Sequence, residues 1–268
     1  MIWKRIKIYL IFTALVSILL LAGCSPISGT GPPSTLGDLA PTSNGNLAHR
    51  VIIPEIDGDA VYLVLGTYGG NLESILLLRE RVTDEQIIYN EQFDSSYYGD
   101  SVLDKYLNTD FWSSLTEDVQ SQVLETRIEV TAKSSVWIAG RDKEFIVRKI
   151  FALSMVECGY KPDRTPLTEG VRIPYLAKLE NRIATGFATD MAIGDATDVA
   201  VGDEIELSWW LRTPDTRNAL AHVISWNGYY DIAQVDSEMG VRPAFCLNAG
   251  LRVTGSEKDG QTVYLLSF

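Results

Sequence analysis

Residues 221–235 read Ala221-His-Val-Ile-Ser-Trp226-Asn227-Gly228-Tyr229-Tyr-Asp-Ile-Ala-Gln-Val235. Two runs rich in β-branched and aromatic residues flank an Asn-Gly pair. A type I′ turn needs positive φ at both central residues, so Asn-Gly is the strongest short hairpin signal. The stretch predicts a tight β-hairpin. Toward the C-terminus, Val241-Arg-Pro-Ala-Phe-Cys-Leu247 continues the β pattern, and Pro243 implies an edge strand or a strand start. A last hairpin turns within Gly255–Gly260 and ends in Val263-Tyr-Leu-Leu-Ser-Phe268. Toward the N-terminus, Ala60–Tyr68, Ser74–Arg79 and Glu85–Tyr89 read as strands joined by turns. Gly66, Gly69 and Gly70 belong to such a turn, because no Gly-Lys-Ser/Thr follows to make a phosphate loop.

Between these β regions lies a helical one. Ser101-Val-Leu-Asp104 is a capping-box-like start, with Val102, Leu103, Tyr106 and Leu107 on one helical face. Thr116 followed by Glu117 and Asp118 starts a second helix, its carboxylates favoured by the helix dipole. Phe145–Leu153 reads as a strand, and Ser154-Met-Val-Glu157 as a third capping box for a short helix stopped by Gly159. Thr165–Asp203 has no clear periodicity and reads as loop. Strands at both ends with helices between them predict one α+β domain over residues 47–268, a mixed sheet in which the terminal strands pair.

Residues 1–23 read as a leader. Lys4, Arg5 and Lys7 precede an uncharged run, Ile8–Leu21, that is shorter than the ~20 residues a spanning helix needs. It ends in Leu21-Ala22-Gly23-Cys24, which resembles the lipobox of bacterial lipoproteins. The resemblance implies that Cys24 carries a diacylglycerol and becomes the first residue after cleavage. That would place the protein at the extracytoplasmic face of the cell membrane, held there by lipid. Residues 25–46 contain 17 Ser, Thr, Pro, Gly or Asn in 22 positions and read as a flexible tether with an r.m.s. reach of about 25 Å.

Ser208-Trp209-Trp210-Leu211-Arg212-Thr213-Pro214, the Asn-Gly hairpin and Met239-Gly-Val-Arg242-Pro243-Ala-Phe245 resemble an uncharacterised bacterial family common in lipoproteins and surface proteins of Gram-positive bacteria. Val102–Trp112 and Ile150–Glu157 resemble its helix and strand-to-helix motifs, and the likeness runs over about residues 60–250. Tyr106 departs from the family pattern, which usually has Trp there, and the first strands are degenerate. The family's fold is related to C-type-lectin-like domains and to formylglycine-generating enzymes. The likeness implies a C-type-lectin-like architecture and does not fix a function.

Net charge is -12, and losing the leader's three bases would deepen it by three. This argues against nucleic acid as a partner, since phosphates must be neutralised by clustered Lys and Arg. Of the histidines His49 and His222, the latter reads as a surface residue across a strand pair, and no Gly-x-Ser-x-Gly elbow accompanies it. No Cys-x-x-Cys or paired histidines support zinc, and Asp195, Asp198 and Asp203 lack EF-hand spacing. Neither a metal nor a cofactor is expected. Cys158 and Cys246 read as buried thiols, with a disulfide as the alternative. Trp209, Trp210, Arg212, Arg242 and Pro243 read as structural; the two arginines would hold loops, or alternatively clamp an anion. Trp226, Tyr229 and Tyr230 around the tight turn, with Arg217 before the hairpin, are the candidate ligand-binding residues. The expected function is non-catalytic recognition of an extracellular polymer, glycan or protein. The alternative is an enzyme related to the formylglycine-generating group, or a cell-wall hydrolase.

Overall fold

The computed structural model describes residues 31–41, 47–91, 95–136, 142–160, 169–187, 202–217 and 219–268. The expected lipidation site, Cys24, lies outside them, as do Asp195 and Asp198. Strands β1 (His49–Glu55), β2 (Gly58–Tyr68) and β3 (Asn71–Arg79) form an antiparallel meander. The β2–β3 loop is the pair Gly69-Gly70, both at positive φ, so its twist matches that of its strands. After β4 (Ile87–Ile88) come helices α1 (Val102–Asn108), α2 (Asp110–Ser114) and α3 (Glu117–Gln122). Ser101 caps α1 by accepting from the Asp104 amide at 3.0 Å. The Asp104 carboxylate does not return the bond; it takes Arg148 in a bidentate pair at 2.8 and 2.7 Å.

Then follow β5 (Val123–Leu124), β6 (Thr126–Thr131), β7 (Lys143–Arg148) and β8 (Ile150–Phe151). The run expected as one strand over Phe145–Leu153 thus splits. β7 alternates exposed and half-buried residues and, among the described residues, pairs only with β6, whereas Ile150 and Phe151 are buried and pair into the main sheet. The Ser154–Glu157 box closes on both sides, at 3.1 and 2.9 Å, yet the helix never passes one turn. Gly159, at φ +97°, lies so close to Ala177 that a Cβ would meet its Cα at 2.6 Å.

The remaining strands are β9 (Thr185–Phe187), β10 (Glu204–Glu206), β11 (Trp209–Pro214), β12 (Leu220–Ile224), β13 (Tyr230–Gln234), β14 (Glu238–Met239), β15 (Ala244–Asn248), β16 (Arg252–Lys258) and β17 (Gln261–Ser267). The main sheet runs β16-β17-β1-β2-β3-β15-β5, with β8 also on β15. β1 and β17 are parallel neighbours, so the two ends of the folded chain share one sheet. Pro243 stands just before β15, and that strand is central and not an edge; the Pro243 carbonyl accepts from the Arg79 amide at 3.0 Å. Smaller sheets are β4–β14, β6–β7, β9–β10 and β11–β12–β13. The fold is mostly β with a few short helices, an α+β domain. The β16–β17 loop is tighter than expected: Asp259 and Gly260, both at positive φ, make a two-residue type I′ turn.

One expectation is corrected at the N-terminus. The compact body begins at Pro33, not Leu47. Leu36–Leu39 forms a 3-10 turn with Leu36 and Leu39 fully buried, capped by a reciprocal box between Thr35 and Asp38. The Ser34 carbonyl accepts from Val253, and the Leu36 and Gly37 amides donate to Leu251 and Ala249. Two leucines inside a polar stretch are enough to dock it, because burying each is worth about 2 kcal/mol. This strap also covers the outer side of β16, an otherwise bare sheet edge.

Candidate functional site

The β12–β13 ladder closes at Ile224↔Tyr230, which leaves Ser225–Tyr229 as its loop. The Gly228 amide donates to the Ser225 carbonyl and the Ser225 amide to the Tyr229 carbonyl, both at 2.8 Å. Gly228 stands at φ +81°, while Trp226 and Asn227 keep negative φ. The loop is therefore a type I turn closed by a left-handed glycine, not the expected type I′ turn. Tertiary contacts decide this. Gly228 lies against Leu179 and Ile183, and the Trp226 amide donates to Ser208 Oγ at 3.0 Å.

The loop holds two of the predicted aromatics in solvent: Trp226 is 56% exposed and Tyr229 61%. Tyr230 does not join them. Its ring packs edge-on against Tyr160, and its hydroxyl donates to the Cys158 carbonyl at 2.8 Å. Arg182, which the sequence reading passed over, holds this end in place. Its Nε donates to the Gly228 carbonyl at 2.8 Å and its Nη1 to Tyr230 Oη at 2.5 Å, with the guanidinium 4.4 Å from the Tyr230 ring centre. No local pattern flags Arg182, because its partners are far along the chain. Arg217 is exposed and pairs with Asp215 at 2.7 Å rather than with the aromatics.

Beneath the tip, Trp209 and Trp210 are both buried, although they alternate along β11. Trp209 Nε1 donates to the Arg182 carbonyl and Trp210 Nε1 to the Ile87 carbonyl. The buried Arg242 guanidinium lies 4.9 Å from the Trp209 ring and donates to the Arg79 carbonyl at 3.0 Å. Burial depresses its pKa to about 10. Arg212 donates to both oxygens of buried Glu157 at 2.6 and 2.8 Å, and to the Ala152 and Glu129 carbonyls. Glu157 also accepts from Tyr68 Oη, and Glu169 takes the Thr131 and Thr213 hydroxyls at 2.6 Å.

His222 is not a surface residue; it is 9% exposed and faces Asp215 at 3.7 Å. Cys158 and Cys246 are free, buried thiols, not a disulfide. Burial pushes the Cys158 thiol well up and Cys246 to about 11, which disfavours a thiolate at either position. Among the described residues no group of three or more His, Cys, Asp or Glu is arranged to hold a metal ion. A cleft of about 720 Å³ adjoins the base of the tip at Ile183. Three of its four bases are matched by acids, in the pairs Arg50–Glu80, Arg79–Glu55 and Arg81–Glu204, and the fourth, Lys258, is exposed at its rim.

No curated protein and no solved structure matches the chain significantly. One family model does, over residues 73–249, from β3 to the turn after β15. This is more than half of the chain and takes in β11, the aromatic loop and the Val-Arg-Pro segment. The chain accordingly belongs to the family described as Domain of unknown function (DUF6273).

Proposed function

We propose that the protein is a non-catalytic recognition module of C-type-lectin-like architecture, displayed outside the cell by a lipid on Cys24, and that the Ser225–Tyr229 loop engages its ligand. The observation that carries this reading is the contrast within one loop. Trp226 and Tyr229 stand in water, while the backbone beneath them is fixed by Arg182, Ser208 and Leu179. Exposed rings on a fixed frame lose little conformational entropy on binding, which favours stacking on a sugar face or packing on a protein. The lipobox-like Leu21–Cys24 and the paired terminal strands support the anchor and the architecture.

The test is an array of glycans and purified cell-wall polymers probed with the chain from Ser25 onward. Trp226→Ala and Tyr229→Ala should each weaken capture about tenfold, with melting temperatures nearly unchanged. Capture that survives both substitutions, or a large fall in stability from Trp226→Ala, would remove the loop from the account.

A further inference from the structure

Among the described residues Asn227 is the only asparagine followed by glycine; Asn44-Gly45 lies outside them. Its side chain is held in a particular way. Asn227 Oδ1 accepts from the Tyr229 amide at 3.3 Å, so the carboxamide curls along its own following peptide and lies beside the Gly228 nitrogen. Gly228 carries no side chain to shield that nitrogen. The nitrogen is nevertheless engaged, since its N–H donates to the Ser225 carbonyl at 2.8 Å. The turn also sets the backbone against reaction. The third residue of a type I turn has ψ of about 0°, whereas a ring joining the Gly228 nitrogen to Asn227 Cγ needs that nitrogen and Cβ on the same side of the Cα–C bond. The loop must open before the two atoms can bond.

We propose that Asn227 is a site of spontaneous deamidation, gated by opening of the Ser225–Tyr229 loop. Hydroxide takes the Gly228 amide proton, and the nitrogen attacks Asn227 Cγ. The new N–C bond closes a five-membered imide, and the side-chain nitrogen leaves as ammonia. Water then opens the imide at either carbonyl, giving aspartate or isoaspartate. The balance is one water in and one ammonia out, with no change of oxidation state. The Tyr229 amide faces the oxygen on which negative charge develops during the attack. Either product puts a carboxylate between Trp226 and Tyr229. Isoaspartate also adds a methylene to the main chain, inside a loop that the Ile224↔Tyr230 pair closes at fixed length. The chemistry does not depend on what the loop binds.

Peptide mapping by mass spectrometry, on the chain from Ser25 onward held at mildly alkaline pH, tests the proposal. The peptide containing Asn227 should gain one dalton and become a substrate for isoaspartate methylation, faster as pH rises. Its rate in the folded chain should be about tenfold below the rate in urea, because one net hydrogen bond has to break first. Ser208→Ala removes the acceptor of the Trp226 amide, so it should move the folded rate toward the urea rate and leave the urea rate unchanged. Asn227→Gln should show no conversion at this position, because the larger ring closes slowly. An Asn227 that stays intact in the folded chain while it converts in urea overturns the proposal. Equal rates in the two states, or a folded rate unmoved by Ser208→Ala, overturn the gate.

Discussion

Arg212 and Glu157 are both fully buried, and each meets its needs from the other and from nearby backbone. Such a pair adds little net stability over a well-packed apolar one, but removing one member strands a charge. Arg212→Ala should therefore cost about 3–5 kcal/mol in urea unfolding, and a further Glu157→Leu should return part of that loss. Equal losses in the single and double variants would refute this account of the pair. Glu169 gives the opposite lesson. Burial raises its carboxyl above the ordinary 4.5, against the pull of Arg212 and the Thr131 and Thr213 hydroxyls. A raised folded pKa means that the folded chain holds this proton more tightly than the unfolded one. Its stabilising effect is complete below about pH 4.5 and fades as pH rises through the folded value. Glu169→Gln keeps a neutral side chain at every pH, so its melting temperature should gain on the parent as pH climbs above 4.5. Parallel curves for the two proteins would show that Glu169 is not perturbed.

At the scale of elements, two glycines separate conformation from packing. Gly260, at φ +74°, has no atom within 4 Å of a built Cβ, so Gly260→Ala should cost only the left-handed penalty of about 1 kcal/mol. At Gly228, φ is +81° and a Cβ would meet the Leu179 carbonyl at 2.7 Å. Gly228→Val should cost more than twice as much and loosen the aromatic loop, read as lost protection of the Ser225 and Trp226 amides in hydrogen exchange. Similar costs at the two sites would mean that the Leu179 contact yields. The elements legible in the sequence were those specified locally, such as the Ser101 cap, β2, β3 and the exposed pair Trp226 and Tyr229. Those set by distant partners were not. Asn227-Gly228 carries the type I′ signature, but Leu179 and Ser208 impose another turn, while Asp259-Gly260 has nothing to override it. Tyr230 looked like its neighbour Tyr229 until Arg182 and Cys158 were beneath it. Trp209 and Trp210 alternate as a half-buried strand would, yet β11 is covered on both faces. Composition hid the strap, because Ser, Thr, Pro and Gly around Leu36 and Leu39 read as linker.

Over the whole molecule, the family-matched residues 73–249 end inside the main sheet, and β1, β2, β16 and β17 complete it from outside that match. The strap belongs to this outer addition. Trimming of the chain by proteinase K, an endoprotease of broad specificity, should stop near Pro33. Leu36→Asp should let it run toward Leu47 while the remainder stays folded, since a carboxylate cannot stay charged in a dry leucine site. Trimming to Leu47 in the parent chain would mean that the strap is not held. The strap also decides how the molecule responds to force. A load entering at the N-terminus meets three backbone hydrogen bonds and two leucines before it reaches β1. Peeling that short segment frees the 16 residues up to Ala48 and adds up to about 50 Å of chain. A tug at Pro33 thus becomes slack before it becomes unfolding, as with a shock cord stitched to the side of the body it carries.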